Sequence, residues 1–445
     1  MHTWYEQAVF YHIYPLGLLG AEKTNTLTET AHRLTELESW IPHISDLNGS
    51  AIYIGPLFES CTHGYDTKDF RLVDRRLGSN EDFARFVRLC HENGIRVVVD
   101  GVFNHTGREF FAFQDIREKR EASPYKDWYR GVNFGWGSPM GDSFGYEAWQ
   151  GHYELPCLNL WNPEVRQYLF DVIRFWIDEF DIDGIRLDCA NVLDFNFMKE
   201  MRAQTATMKP DFWLMGEVIH GEYNRWVNPE MLHSVTNYEL HKALYSGHND
   251  HNYFEIAHNV RRLEAVGRSL YTFVDNHDED RIASKLNNLA NLFPVYQLLF
   301  TLPGIPSVYY GSEWGIEGKR SRTSDEVLRP ALNLSDMHGK APELASHIAA
   351  LGKIHTENDA FHNGSYKELL LTNRQYAFSR SGEHGTVISA VNNDEQPASI
   401  SIPLPCAASD VVSLLPGETP FSLENGRLSV TLPANGGAIF KLQEV

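Results

Sequence analysis

Three carboxylates and one arginine stand at the ends of segments that have the composition of buried strands. GIRLDCA carries Arg186 and Asp188, FWLMGEV carries Glu217, and FVDNHD ends in Asp278. Alternate residues of a strand point to the same face, so Arg186 and Asp188 share one face. Burying these charges together is costly unless function retains them. The pattern therefore predicts a catalytic site rather than an apolar core.

The chemistry that suits two carboxylates on neighbouring strands is hydrolysis of a glycosidic bond with retention of configuration. One carboxylate attacks the anomeric carbon and the other carboxyl protonates the leaving oxygen, at a separation of about 5–5.5 Å. Arg186 favours an ionised Asp188, whereas Glu217 has no basic neighbour in the sequence, which suits an acid that is protonated at rest. We therefore predict Asp188 as the nucleophile, Glu217 as the general acid/base and Asp278 as the stabiliser of the transition state.

Each of these signals is weak by itself. An Arg-x-Asp pair is more often a structural salt bridge, and a segment such as Asp100 to His105 is more often a capped turn. Working residues of a β/α barrel lie at the C-terminal ends of its strands, so the joint placement at four strand ends outweighs these structural interpretations. His105 and His277 are further candidates as ligands of sugar hydroxyls, and Tyr65 is a candidate stacking face.

The elements that would position these residues follow a repeated order of short apolar strand, loop and amphipathic helix. Helical patterns include 80–94, with Asn80 as a predicted N-cap, and 162–180, with Pro163 in its first turn. Eight strands alternating with helices predict an α/β fold, a (β/α)8 TIM barrel. The strand patterns lie at 8–15, 51–58, 95–103, 184–190, 212–218, 234–238, 269–276 and 305–311.

Two segments interrupt this alternation. Residues 105–154 lack regular repeats, and a connection of that length is usually functional. From about residue 361, short alternating runs separated by Ser-Gly, Asn-Asn and Asn-Gly turns predict an all-β sandwich. The predicted domains are barrel domain A at 1–104 and 155–358, inserted domain B at 105–154, and a C-terminal β-sandwich domain C at 359–445.

Composition excludes several classes of protein. The 445 residues contain 39 Lys+Arg and 59 Asp+Glu, and the net charge of −20 argues against nucleic acid or an anionic membrane as a partner. Five scattered cysteines form no disulfide framework, which favours a reducing compartment. The first seven residues contain no Lys or Arg, and no apolar stretch reaches about 18 residues. We therefore expect a cytoplasmic protein without a signal peptide or a membrane span.

The strand-end segments resemble the signatures of the α-amylase family of retaining glycoside hydrolases, family 13. The matching segments are DGVFNH (100–105), GIRLDCAN (184–191), GEV (216–218) and FVDNHD (273–278), with secondary matches in GPLFES, HGYDTKDF, LPCLN and GIPSVYYGSE. The resemblance implies the three catalytic roles given above for Asp188, Glu217 and Asp278. It also implies that the attacked glucose is lined by Tyr65, His105, Arg186 and His277, and that the next sugar is held by Asp325 and Arg329.

The residues after the predicted nucleophile indicate which members of the family the chain resembles most. Ala190 and Asn191 resemble cyclomaltodextrinases and neopullulanases, whereas many starch-degrading α-amylases have a Lys-His pair there. Those relatives usually carry an N-terminal β-domain, which we expect to be missing because the first strand pattern begins near residue 8. The implied substrates are maltooligosaccharides, cyclodextrins or related α-glucans, cleaved at α-1,4 bonds through a covalent intermediate.

Several alternatives stay open at this point. An α-glucosidase or a transglycosylase would use the same residues, and a non-catalytic sugar-binding protein would be expected to lack one of the three carboxylates. No cofactor is required by the predicted chemistry. Asn104 resembles a ligand of a structural calcium found in the family, and it fits a hydrogen-bonding turn equally well. The sequence leaves the oligomeric state undetermined.

Overall fold

The computed structural model describes residues 3–417 and 419–444. Its central strands are β1 Phe10–Ile13, β2 Ala51–Ile54, β3 Arg96–Gly101, β4 Gly184–Leu187, β5 Trp213–Gly216, β6 Ser234–Val235, β7 Tyr271–Phe273 and β8 Ile305–Tyr309. They form one parallel sheet in the order β6-β5-β4-β3-β2-β1-β8-β7. A parallel bridge between Thr236 and Tyr271 joins β6 to β7 and closes the sheet. The predicted (β/α)8 barrel is therefore confirmed.

Helices connect these strands and cover the outside of the barrel. The principal helices are α1 Trp40–Asp46, α2 Asn80–Glu92, α3 Pro163–Phe180, α4 Phe195–Met208, α5 Tyr238–Asn249, α6 Tyr253–Arg262, α7 Leu292–Thr301 and α8 Pro342–Glu357. In α3, the Asn162 side chain accepts from the Glu164 backbone N–H, and Pro163 takes the first helical position as predicted.

The predicted N-cap of α2 is wrong by one residue. Ser79, not Asn80, caps the helix, because Ser79 Oγ accepts from the Asp82 backbone N–H at 3.2 Å while Asp82 Oδ2 accepts from the Ser79 N–H at 2.8 Å. This reciprocal pair is a capping box. The Asn80 carboxamide oxygen instead accepts from the Val73 backbone N–H at 2.9 Å, which connects the start of the helix to the short strand Thr67–Val73.

Side chains on the two faces of the barrel strands separate into two cores. Phe10, Tyr53, Val98 and Trp213 point inward and form a buried cluster inside the barrel. Alternate residues such as Ile52 join a larger cluster between strands and helices. Because side chains fill the interior, the polar strand-end residues are confined to the C-terminal mouth.

Two insertions contribute to that mouth. An antiparallel hairpin of Phe58–Ser60 and Thr67–Val73 follows β2 and carries Tyr65 in its turn. Between β3 and α3 lie a helix, Phe111–Lys119, and a second hairpin formed by Ala148–Trp149 and His152–Pro156. This second insertion falls in the segment predicted as domain B; the exact domain boundaries stay a prediction.

The C-terminal region is an antiparallel β-structure, as predicted. Its strands are β9 Ser365–Leu371, β10 Gln375–Gly382, β11 Gly385–Asn392, β12 Ala398–Pro403, β13 Ala408–Ser413, β14 Phe421–Glu424, β15 Arg427–Leu432 and β16 Gly436–Glu444. They form a five-stranded sheet, β9-β10-β11-β16-β13, and a three-stranded sheet, β12-β15-β14. Within the described ranges, no helix has both the length and the hydropathy that crossing a bilayer requires.

Candidate active site

The register of β4 and β5 brings the two predicted catalytic carboxylates side by side. Leu187 is paired with Gly216, so the residues that follow them, Asp188 and Glu217, leave the sheet together. A carboxylate oxygen of Asp188 and one of Glu217 lie within 4.8 Å of each other. Both side chains are buried, at 6% and 8% residue exposure.

Arg186 holds this cluster of negative charges together. Its Nη1 donates to Asp100 Oδ1 at 2.9 Å and to Asp188 Oδ1 at 2.8 Å, and its Nη2 lies 3.0 Å from Glu217 Oε1. No basic residue is adjacent to Glu217 in the sequence, which predicts a site without a basic neighbour. This prediction is wrong, because Arg186 contacts Glu217. Arg186 lies on β4, and the register that brings it beside Glu217 at the end of β5 is not visible in the amino-acid sequence.

The environment of Glu217 nevertheless favours its protonated form. Burial raises the pKa of Glu217, and although Arg186 opposes this, the charges of Asp188 and Asp278 raise it further. The backbone N–H of Cys189 donates to Glu217 Oε2 at 3.1 Å, which fixes the direction of the carboxyl group. A carboxyl with a raised pKa holds its proton to higher pH, as a general acid must.

Asp278, at the end of the β7 segment, has the opposite environment. The desolvation that comes with its partial burial acts to raise the pKa of the carboxyl group, but the charges of His277 and Arg329 hold that pKa well below its usual range. Arg329 Nη2 donates to Oδ1 at 2.8 Å, and His277 Nε2 lies 3.0 Å from Oδ2. Asp278 is therefore a permanently ionised carboxylate beside a protonatable Glu217.

The predicted sugar-binding side chains surround these carboxylates. Tyr65 OH lies 2.5 Å from His277 Nε2, with the two rings stacked at a centroid distance of 5.8 Å. Arg329 Nη2 also lies 2.7 Å from Asp325 Oδ2, which extends the network away from Asp278. The structure thus brings both members of the outer pair to the same mouth as the catalytic candidates.

His105 completes the set. It is 1% exposed, and burial lowers its pKa although the nearby Asp188 charge opposes the shift. Its Nε2 atom has no hydrogen-bond partner among the described residues. A buried, neutral imidazole with one unpartnered nitrogen is suited to a sugar hydroxyl, which can both donate and accept.

Tyr238 was not among the predicted site residues. Its hydroxyl donates to Glu217 Oε1 at 3.4 Å and accepts from Asn276 Nδ2 at 3.1 Å, so it links the ends of β5 and β7. The available signal was its place at the C-terminal end of the SVTNY strand pattern. The residues predicted at the strand ends are acids, arginine and histidines, and Tyr238 belongs to none of these types.

The surroundings of Asn104 do not fit a calcium ion. A cavity of about 100 Å³ beside Asn104 is also lined by Arg130, Asn159 and Asp194. Asp194 is already paired with Arg166, 3.0 Å away. Calcium takes about six to eight oxygen ligands, and a guanidinium in the same cavity repels a divalent cation.

Known proteins are similar to this chain in sequence and in fold. The family model for the α-amylase catalytic domain matches residues 25–343. A protein of Geobacillus thermopakistaniensis named cyclomaltodextrinase is 30% identical, with 99% of this chain and 78% of that one covered. A maltogenic α-amylase of Bacillus acidopullulyticus is also 30% identical, with the same shares covered. A solved structure named cyclomaltodextrinase has a TM-score of 0.86 at 25% identity, covering 98% of this chain and 78% of that chain.

Proposed function

The chain belongs to the α-amylase family of glycoside hydrolases, and from this premise we propose that it cleaves α-1,4-glucosidic bonds in maltooligosaccharides, cyclodextrins or related α-glucans with retention of configuration. The observation that carries the proposal is the approach of Asp188 and Glu217 oxygens to within 4.8 Å. Retaining enzymes separate their carboxyl groups by about 5–5.5 Å, whereas inverting enzymes need about 6.5–9.5 Å to admit a water.

In the first step, an oxygen of Asp188 forms a bond to the anomeric carbon as the glycosidic C–O bond breaks. Glu217 donates its proton to the leaving oxygen, and the departing sugar carries that proton away. In the second step, the Glu217 carboxylate takes a proton from water, whose oxygen attacks the anomeric carbon and releases Asp188. Arg186 contacts both carboxylates and offsets the negative charge that moves between them.

The remaining side chains hold the sugar during these steps. Asp278 stays ionised and accepts hydrogen bonds from hydroxyls of the attacked ring, and its charge stabilises the oxocarbenium-like transition state. His105 and His277 supply ring nitrogens, and Tyr65 presents its ring face. Because His277 and Arg329 hold the pKa of Asp278 well below its usual range, its negative charge is available throughout both steps.

The names of the matched relatives support this substrate class. One is named cyclomaltodextrinase and another maltogenic α-amylase. We also propose a cytoplasmic location, because all five cysteines are free thiols in the structure. No cofactor takes part in the proposed reaction, and no calcium is proposed beside Arg130.

The proposal is tested by trapping the covalent intermediate. A fluorinated α-glucosyl fluoride that slows the second step is incubated with the enzyme, which is then digested and analysed by mass spectrometry. The expected result is one added glycosyl group on the peptide that contains Asp188. A label on another residue would contradict the nucleophile, and failure to hydrolyse any α-glucan would contradict the activity itself.

A further inference from the structure

A cavity of about 430 Å³ lies on one side of the catalytic mouth, lined by Arg329, Tyr14 and His63 among others. It is continuous with the catalytic residues, since the Tyr14 ring stacks on the His277 ring at a centroid distance of 5.7 Å and Arg329 contacts Asp278. Tyr14 OH also donates to the His63 carbonyl at 2.6 Å.

This cavity is on the side of the sugar chain that stays bound to the nucleophile. Glu217 protonates the leaving oxygen, so the leaving sugar lies beside Glu217. The side chains of Arg186 and Tyr238 and the backbone of Cys189 contact Glu217, and none of these residues lines the cavity. Within the described part of the chain, the cavity therefore takes the non-reducing part of the substrate, the glycone.

An exposed ion pair joins two chain segments that line this cavity. Lys23, in the segment between β1 and α1, pairs through Nζ with Glu326 Oε1, in the segment between β8 and α8. Both residues line the cavity. The two segments also contact each other through the backbone, since the Leu332 N–H donates to the Leu18 carbonyl at 3.2 Å.

Each partner of the pair is adjacent to an anchored residue. On one wall, Arg76 is 1% exposed and its Nη1 donates to the Glu22 carbonyl at 2.8 Å. The Glu22 carboxylate also accepts two hydrogen bonds from Arg33, each of 2.8 Å. On the other wall, Asp325 lies 2.7 Å from Arg329. The pair therefore joins two fixed points rather than two free loops.

We propose that the Lys23–Glu326 pair closes the glycone end of the groove, so that the enzyme works from chain ends and releases maltose. This inference rests on the proposed function and narrows its substrates to linear maltooligosaccharides. The cavity volume is at the lower end of the roughly 300–1,000 Å³ of ligand sites, so only a short glycone fits beyond the attacked ring. A cyclodextrin continues past both ends of the site, so it would have to displace the pair.

The test follows the products of maltoheptaose that carries a fluorescent label at its reducing end. Early in the reaction, the wild-type enzyme is expected to leave labelled maltopentaose, because one maltose is removed from the other end. Lys23→Glu and Glu326→Lys each place like charges across the cavity. Each single variant is expected to raise the share of shorter labelled products, and the ratio of cyclodextrin to maltotriose kcat/KM, by roughly fivefold, the factor set by an exposed ion pair.

Two controls separate the pair from a general charge effect. The double variant Lys23→Glu/Glu326→Lys rebuilds the pair with reversed polarity and is expected to restore the wild-type products. Lys199→Glu breaks another exposed ion pair, Lys199 Nζ to Glu230 Oε2 at 2.9 Å on the barrel flank, and is expected to leave the products unchanged. Thermal melting of every variant confirms that it is folded.

The inference is overturned if folded single variants give wild-type products, if the double variant fails to restore them, or if the wild-type enzyme cuts maltoheptaose at many positions. Those outcomes leave the proposed hydrolysis intact. Absence of any hydrolysis of maltoheptaose by the wild-type enzyme would instead overturn the proposed function, and the closure with it.

Discussion

At the end of β5, Glu217 is buried and shares Arg186 with Asp100 and Asp188. At the end of β7, Asp278 is partly exposed and has Arg329 and His277 as its own cationic and hydrogen-bonding partners. The pKa of Glu217 is raised and that of Asp278 is lowered, although both are carboxylates at strand ends of one barrel. The local ratio of positive to negative charge, more than residue type, separates an acid from a permanent anion.

The largest expected effect comes from removing either member of the closely spaced pair. Asp188→Asn and Glu217→Gln each remove a group that forms or breaks a bond with the substrate or its proton. We expect kcat on maltoheptaose to fall by at least about 10³-fold, with the melting temperature kept close to that of the wild-type enzyme. Near-normal turnover in either variant, with Glu230→Gln as an exposed control, would contradict the assignment.

The second largest effect is expected from removing the cation that contacts Asp278. Arg329→Met removes the cation that contacts Asp278, and a lost hydrogen bond to a charged group corresponds to a decrease of about 10- to 100-fold in kcat/KM. Arg329 helps keep the pKa of Asp278 low, so without it the carboxylate takes up a proton at higher pH as the pH falls. The acidic limb of the kcat/KM profile should therefore move to higher pH, and Arg329→Lys should move it less.

A smaller effect is expected on the Glu217 side. Tyr238→Phe removes the hydroxyl that donates to Glu217 Oε1 at 3.4 Å, and a neutral hydrogen bond corresponds to about 2- to 10-fold in kcat/KM. The lost donor favours the carboxylate form, so its removal should raise the pKa of Glu217 further. The basic limb should move to higher pH while the acidic limb stays in place; movement of the acidic limb alone would contradict this coupling.

The smallest expected effect is on stability and concerns calcium. Arg130 lines the cavity beside Asn104, so removal of calcium with a chelator should leave the melting temperature and the kcat/KM unchanged. A fall in melting temperature that added calcium reverses would show that an ion binds there despite the arginine.

How far the sequence predicts this site depends on whether a residue's partner lies on the same strand. Arg186 and Asp188 are two residues apart, so their shared face follows from strand geometry alone. The contact of Arg186 with Glu217 depends on the register of β4 against β5, which only the folded sheet sets. The eight apolar strand patterns alternate with helical patterns along the chain, and this alternation is sufficient to predict the barrel.

Local details were predicted less well where two polar residues compete for one role. Ser79 and Asn80 both suit an N-cap, and the capping box with Asp82 decides between them. The helix Phe111–Lys119 lies in a segment that shows little periodicity, since its partners are aromatic residues supplied by the rest of the insertion. The closure of the glycone side by Lys23 and Glu326 joins positions far apart in the chain and could not be predicted at all.

The most direct test of the division between nucleophile and acid is rescue by azide with α-maltosyl fluoride, whose leaving group needs no proton. In Asp188→Ala, azide would replace the missing nucleophile and attack directly, so β-maltosyl azide is the expected product. In Glu217→Ala, azide would react with the glycosyl-enzyme formed on Asp188, so α-maltosyl azide is the expected product. The opposite assignment of the two anomers, or one anomer from both variants, would contradict the roles of Asp188 and Glu217.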